Sequence, residues 1–279
     1  MTDWIALWRE LVTLKSSPEK QSQNKGDHWL ERAGQFNTAV KRRWENPDSS
    51  REFVISLLKP GDTLLDIGAG TGAWETLLAP RLKSITALEP SPSMRSILQQ
   101  NLQEAGIENV DIIPGSWPEE NMHPHTFSLC AHSMYGCADF VVFINKMMAV
   151  TRKTCILIIR QPLPGSLMTL AARKVFGHPH DSPNFEVAYN ALLQMGIHAD
   201  VIMENSGSWE PWTSSDFEQA LITLKEKLGL FSPSRFDNDL SALLRENLVE
   251  EGGRLIWPAG VRSVLIHWNV TNRLFHDFQ

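Results

Sequence analysis

The hydrophobic positions of the chain follow two rhythms that alternate over its central part. Between residues 63 and 160, short apolar runs take turns with segments whose apolar residues recur every three or four positions. The short runs are typical of buried parallel strands, and the longer period is typical of amphipathic helices. The alternation predicts a doubly wound, mostly parallel seven-stranded α/β sheet with helices on both faces. The predicted strands are Thr63–Ile67, Ser84–Leu88, Val110–Ile113, Phe127–Ala131, Cys155–Ile159, Ala199–Met203 and Val261–Trp268.

The rhythm changes before residue 51 and after residue 160. The first part has helical patterns broken by a polar stretch at 15–26, which reads as a loop or hinge. After residue 206, two amphipathic helical patterns precede the last predicted strand. We therefore predict an N-terminal helical lid at 1–50, a Rossmann-like core at 51–206 and 254–279, and a helical cap insertion at 207–253.

A glycine-rich turn follows the first predicted strand. Asp66 lies near the end of that strand, and the segment Gly68–Gly72 has glycine at every second position before a helix begins. Glycine lets the backbone turn sharply and approach a ligand closely, and a helix start supplies N–H donors. Glu89 ends the second strand, where a carboxylate can accept hydrogen bonds from ribose hydroxyls. Because Ala73 completes the looser dinucleotide fingerprint, an NAD(P)-dependent oxidoreductase with a Rossmann fold stays open as an alternative.

Three segments resemble those of class I S-adenosylmethionine-dependent methyltransferases of the small-molecule type. Leu64–Gly72 is similar to their first motif, and Leu88–Met94 is similar to their second. His28–Asn37 is similar to the aromatic-rich N-terminal helix that closes over the cofactor. The resemblance covers residues 28–160. It implies a Rossmann-like fold, S-adenosylmethionine as cofactor, and in-line transfer of a methyl group to a small-molecule acceptor.

The resemblance also implies roles for individual residues. Asp66 would receive the ammonium group of the methionine moiety, and Glu89 would hold the ribose. Pro90 and Met94 would border the adenine, while Ser116 stands where many members carry an acid that binds adenine. The implied cofactor-binding residues are Asp66, Gly68, Ala69, Gly70, Gly72, Glu89, Pro90, Met94, Ser116, Trp117 and His132.

His132 is the predicted catalytic residue. It follows the fourth strand, in the crevice where ligands of α/β sheets bind. The ordinary histidine pKa of about 6.5 suits a general base for a hydroxyl or amine acceptor. A role in binding the cofactor or in capping the next helix is the alternative. Tyr135 and Arg160, near the ends of strands, and the lid aromatics Trp29 and Phe36 are the predicted substrate contacts.

Composition narrows the class of partner. The chain has 26 lysines and arginines against 32 aspartates and glutamates, a net charge of −6, which disfavours a nucleic-acid partner. The three cysteines form no CxxC pair and the two His-Pro-His strings lack zinc-ligand spacing, so we predict no metal. Without a bilayer-length apolar run or a basic leader followed by an apolar segment, we expect a cytoplasmic protein with no membrane partner. A catalytically inactive adenosyl-cofactor-binding protein is the third alternative.

Overall fold

The core of the protein is a seven-stranded sheet. The computed structural model describes residues 2–15, 26–204, 209–230 and 233–270. The strands of the sheet are β1 (Thr63–Ile67), β2 (Ser84–Glu89), β3 (Val110–Pro114), β4 (His125–Ala131), β5 (Thr151–Pro162), β6 (Asp200–Met203) and β10 (Val261–Asn269). They are arranged in the order β3-β2-β1-β4-β5-β10-β6, and β10 alone runs opposite to the direction of the other six strands. The predicted mostly parallel seven-stranded sheet is confirmed.

Ten α-helices accompany the sheet in the described part of the chain. They are α1 (Trp4–Lys15), α2 (Ala33–Trp44), α3 (Ser49–Leu57), α4 (Ala73–Leu78), α5 (Pro92–Glu104), α6 (Phe140–Ala149), α7 (Leu167–Phe176), α8 (Phe185–Gln194), α9 (Phe217–Lys227) and α10 (Asp237–Asn247). Two short 3₁₀ turns lie at Ala79–Arg81, directly after α4, and at Met134–Gly136, shortly after β4. None of these helices has the length and apolar character needed to cross a membrane.

Two apolar cores cover the two faces of the sheet. On β1, Leu65 belongs to a cluster with Trp8 of α1, whereas its neighbour Leu64 belongs to a cluster with Val54 of α3 and Leu78 of α4. Successive side chains of a strand point to opposite faces, so a strand buried on both sides needs consecutive apolar residues. Burial on both faces of the sheet is therefore the reason that these strands appear in the sequence as continuous apolar runs.

The first helix lies in the core, which differs from the predicted lid at residues 1–50. Trp8 is fully buried, its ring centroid is 5.0 Å from that of Phe140, and its indole N–H donates to the carbonyl of Cys137 at 2.8 Å. The apolar face of α1 is therefore covered by α6 and α8. Only the segment from Asp27 through α2 lies over the glycine-rich turn, and residues 16–25 of the predicted hinge lie outside the described residues.

The insertion between β6 and β10 contains strands as well as the predicted helices. Besides α9 and α10 it has three short antiparallel strands, β7 (Thr213–Ser214), β8 (Val249–Glu251) and β9 (Arg254–Ile256), in the order β7-β9-β8. Strands of two or three residues are too short to show a period. Because β9 lies beyond residue 253 and residues 207–208 are outside the described part, the boundaries of the cap stay a prediction.

We expect Trp8→Ala to lower the free energy of unfolding by about 3–5 kcal/mol, because it leaves a cavity against Phe140 and removes a buried hydrogen bond. Urea unfolding followed by circular dichroism measures this change. The control is Arg9→Ala, an exposed position on the same helix, which should change stability by less than about 0.5 kcal/mol. Equal effects of the two substitutions would show that α1 is not part of the core.

Candidate functional site

Glu89 holds the glycine-rich loop between β1 and α4. One oxygen of its carboxylate accepts a hydrogen bond from the N–H of Gly70 at 2.8 Å, and the other accepts from the N–H of Ser91 at 2.8 Å. Burial raises the pKa of Glu89, and these two N–H groups act against that rise. Each oxygen of a carboxylate has a second lone pair, so both can still accept a hydrogen bond from a ligand hydroxyl.

The loop needs glycine at two positions for different reasons. Gly72 has φ +84°, and a Cβ there would come within 2.2 Å of the Leu98 side chain. Gly70 has φ +60°, but its nearest neighbour would be the ring of Phe36 at 3.9 Å. Gly72 therefore serves the packing of the loop on α5, whereas Gly70 leaves room for a ligand beneath the Phe36 ring.

Two carboxyl groups are buried under this loop. Asp66 is 1% exposed and Glu75, in the first turn of α4, is fully buried. None of their four oxygens has a hydrogen-bond partner outside the pair, and the two carboxyls lie close enough to share a hydrogen bond. Burial raises the pKa of Asp66 to about 7, and burial together with the nearby Asp66 raises the pKa of Glu75 well above its ordinary value. Buried carboxyls without partners are costly, so this arrangement suits a cationic ligand group.

Sequence reasoning missed Glu75. The signal that could have found it is a glutamate two residues into a short apolar helix, three residues after Gly72. A charged side chain on the face of a helix that packs on a sheet is unusual, and buried acids cluster at functional sites.

The lid segment is tied to the start of α5. Asp27 accepts hydrogen bonds from the Ser91 hydroxyl at 2.8 Å and from the N–H of Ser93 at 2.8 Å. Although burial opposes it, hydrogen bonds led by those from Ser93 hold the pKa of Asp27 far below its usual value. In the same segment the rings of Trp29 and Phe36 meet edge to face at 5.2 Å. These contacts hold the aromatic side chains of the lid over the glycine-rich loop.

A cavity of about 180 Å³ adjoins the loop. It lies between α2, α3, the ends of β4 and β5, and the start of β10. Large apolar side chains form much of its wall, and a few polar groups point into it, which is the usual make-up of a small-molecule site. Its lining includes Phe36, Trp44, Trp74, Trp209, His132 and Asp48.

His132 is held at the floor of this cavity in an uncommon backbone conformation, with φ +57°. Its Nδ1 lies 3.0 Å from the Tyr135 hydroxyl and its Nε2 lies 3.2 Å from the Ser263 hydroxyl. Burial, and then the positive charges of Arg43 and Arg160, lower the pKa of His132 to about 3. The expected ordinary pKa near 6.5 is therefore wrong for this histidine, which is neutral and hydrogen-bonded at both ring nitrogens.

Asp48 is the acidic group of the cavity. It caps α3 by accepting a hydrogen bond from the N–H of Arg51 at 3.0 Å. Burial, and after it the neighbouring carboxyl of Glu204, raise the pKa of Asp48 to about 6. Asp48 therefore exchanges its proton much closer to neutral pH than His132 does.

Comparison with known proteins identifies the central part of the chain. Residues 64–154 match the sequence profile described as "Methyltransferase domain". The chain is 34% identical over 84 residues to the cobalt-precorrin-6B C(15)-methyltransferase (decarboxylating) of Salmonella typhimurium, covering 27% of this chain and 44% of that protein. It is 26% identical over 99 residues to the ribosomal RNA small subunit methyltransferase A of Malacoplasma penetrans, covering 35% and 36%. The chain spans less than half the length of the first curated relatives it matches.

A solved structure agrees with this match in fold. The YcgJ protein from Bacillus subtilis superposes with a TM-score of 0.52 at 12% identity, over 79% of this chain and 97% of that one. The antiparallel last strand between β5 and β6 also departs from the dinucleotide-binding order, in which the sixth strand follows the fifth. Residues 64–154 form a class I methyltransferase domain. The cofactor of such domains is S-adenosylmethionine.

The residues of the methyltransferase domain fit that cofactor. The unpartnered carboxyls of Asp66 and Glu75 match an ammonium group, and the free lone pairs of Glu89 match a pair of ribose hydroxyls. The open space beside Gly70 allows a close approach to the backbone.

The predicted adenine neighbours of the methyltransferase domain have different surroundings. Pro90 and Ser116 are exposed, and Met94 is buried at the start of α5. The Trp117 indole packs against Phe143 and donates its N–H to the Phe143 carbonyl at 3.2 Å. The ring of Trp117 is thus engaged in the core, and the cofactor roles of these residues stay predictions.

The predicted substrate contacts Phe36, Tyr135 and Arg160 divide into two groups. Phe36 lines the cavity beside the glycine-rich loop, and Tyr135 contacts His132 at its floor. Arg160 lies 4.3 Å above the Tyr135 ring and lines a separate cavity of about 70 Å³ against the insertion, together with Asp181. Arg160 is therefore not on the wall of the cavity that adjoins the loop.

We expect Asp48→Asn to gain stability relative to the parent as the pH rises from 4 to 7. A folded-state pKa of about 6 lies above the ordinary 3.8, so the parent loses stability as the pH rises between these values, and the asparagine does not. Since asparagine also caps helices, the change should be on the order of 1 kcal/mol without loss of α3.

Urea unfolding at several pH values measures this difference. Asp139→Asn, at the exposed cap of α6, is the matched control. A difference between Asp48→Asn and the parent that stays constant across pH would contradict the elevated pKa of Asp48.

Proposed function

We propose that the chain is an S-adenosylmethionine-dependent methyltransferase that acts on a small-molecule acceptor. The observation that carries the proposal is the cavity that joins the glycine-rich loop to His132 and Asp48 under the aromatic side chains of the lid. A ligand in this cavity lies next to the loop that the methyltransferase domain uses for its cofactor.

The residues around the loop bind and orient the cofactor. The carboxyl of Asp66 receives the ammonium group, the carboxylate of Glu89 accepts from the ribose hydroxyls, and Gly70 lets the backbone come close. When bound, the cofactor supplies a methyl group on a sulfonium whose leaving group departs neutral. Alignment of the acceptor with that methyl then provides much of the acceleration, because proximity and orientation lower the entropic part of the barrier.

The contacts around the acceptor cavity and the net charge of the chain support a small-molecule acceptor. Arg43 of α2 lies 4.7 Å above the ring of Trp209, and the neighbouring Arg42 pairs with Glu210. These contacts join the lid to the segment leading into the insertion, and Arg43 and Trp209 line the cavity. The relatives include a ribosomal RNA methyltransferase, but the net charge of −6 disfavours a polyanionic acceptor here.

The polar floor of the cavity offers a proton acceptor for a hydroxyl or amine. His132 contributes a neutral imidazole held by Tyr135 and Ser263. In the catalytic role predicted for it, His132 takes the proton of the acceptor as the methyl group is transferred.

We expect adenosylhomocysteine and S-adenosylmethionine, and not NAD or NADP, to raise the melting temperature of the protein, because a ligand of the folded state stabilises it.

Glu89→Ala should weaken adenosylhomocysteine binding by about 1–3 kcal/mol, the scale of a hydrogen bond to a charged group. Gly70→Val should abolish binding, because a branched side chain at φ +60° is strained and fills the ligand space.

Thermal-shift measurements of the parent test the first expectation, and parallel calorimetric titrations of the parent and both variants test the other two. Selective binding of a dinucleotide would support the oxidoreductase alternative and overturn the proposed function. Adenosyl binding without methyl transfer to any acceptor in a small-molecule screen would support the inactive binding protein.

We expect His132→Ala to bind adenosylhomocysteine like the parent but to lower kcat by about 100-fold or more, the contribution of a general base. Because the pKa of His132 is lowered to about 3, the parent's rate should show no inflection from this group near pH 6.5. Transfer of a labelled methyl group measures both effects, and His123→Ala, an exposed histidine, is the control. Unchanged turnover in His132→Ala would remove His132 from catalysis.

A further inference from the structure

We propose that Glu75 forms, with Asp66, a two-carboxyl binding site for the cofactor's ammonium group, and that the pair releases a shared proton when the ammonium binds. The inference rests on the proposed function and deepens it, since it adds a binding residue and a proton to the cofactor site.

The positions of the two residues bring their carboxyls together. Asp66 lies one residue before the end of β1, and Glu75 lies in the first turn of α4, so the glycine-rich loop connects them directly. Both side chains are at most 1% exposed. Their carboxyl groups interact with each other under the loop.

Neither carboxyl has a cationic partner within the described residues that would account for its burial. Their four oxygens accept no hydrogen bond from any group outside the pair, and across residues 2–15, 26–204, 209–230 and 233–270 no lysine, arginine or histidine forms an ion pair with either. A buried acid in a folded core is normally paired or hydrogen-bonded, because leaving it unpaired costs several kilocalories per mole. The missing partner is a cation that comes from outside the chain.

The surrounding groups keep the pair from losing both protons. Glu89 on β2 adds a negative charge that further raises the pKa of both carboxyls. Cys130 on β4 also faces Asp66, but burial raises the pKa of its thiol to about 12, so it is neutral. Two adjacent buried carboxyls cannot both ionise without compensation. The empty pair therefore holds a proton at neutral pH.

The charge balance gives the direction of the pH effect. The ammonium group brings one positive charge, which favours the ionised form of both carboxyls beside it and so lowers the affinity of the pair for its shared proton. That proton passes to solvent, and the bound state has two carboxylates beside one ammonium. Because binding releases a proton, affinity rises with pH, by up to about tenfold per pH unit for one proton.

The experiment is calorimetric titration of the full chain with adenosylhomocysteine between pH 6 and 8.5, in two buffers of different ionisation enthalpy. We expect affinity to rise with pH and about one proton to be released. 5′-Methylthioadenosine lacks the ammonium group, so its binding should release no proton and should be independent of pH. Glu75→Gln should bind adenosylhomocysteine without proton release, whereas Glu108→Gln, an exposed position, should behave like the parent.

The outcomes separate this inference from the function on which it rests. If adenosylhomocysteine binds with a pH-independent affinity and no proton release, the inference is overturned, but the proposed function is not affected. If neither adenosyl compound binds at any pH, the proposed function fails and the inference fails with it.

A measurement without ligand tests the shared proton by itself. A carboxyl whose folded-state pKa is raised loses its stabilising contribution as the pH rises. The melting temperature of the parent should therefore fall relative to that of Glu75→Gln between pH 5 and 8. A difference between the two proteins that does not change with pH would overturn the shared proton.

Discussion

The hydrogen bond from the Gly70 N–H to the Glu89 carboxylate is the contact around which the site is organised. It joins the end of β2 to the loop after β1 and so ties the loop to the sheet. The second oxygen of Glu89 accepts from Ser91, whose hydroxyl in turn donates to Asp27 of the lid. One carboxylate thereby links the glycine-rich loop, the start of α5 and, through Ser91, the lid.

Burial shifts the pKa values of the titratable groups in the site. A low-dielectric surrounding disfavours the charged form of every titratable group. It leaves His132 neutral because its pKa falls to about 3, and it raises the pKa values of Asp48 and Asp66 to about 6 and 7. The groups that exchange protons near neutral pH are therefore carboxyls. An ordinary histidine would titrate in this range, whereas unliganded His132 stays neutral across it.

The lid and the insertion together determine how the cavity is closed. Helix α2 carries Phe36 over the glycine-rich loop and Arg43 over Trp209, so one short helix contacts both the loop and the segment that leads into the insertion. Trp209 also donates to the Ser263 hydroxyl beside His132. Trp212, three residues later, packs instead against Trp257 within the insertion. The two tryptophans flanking Pro211 thus have separate roles, one at the cavity and one in packing.

The sequence by itself determined the sheet and the loop, because both depend on local pattern. Strands buried on both faces require apolar runs, and a turn with positive φ angles requires glycine, so each leaves a mark within a few residues. Only the tertiary structure decided which groups are buried together. Asp66 and Glu75 are nine residues apart in the sequence, and Asp48 lies beside Glu204, which is far from it along the chain. Charge states depend on such neighbours and on the loss of water, which no local pattern records. The same reason explains why Trp117 packs in the core and why His132 lacks its ordinary pKa.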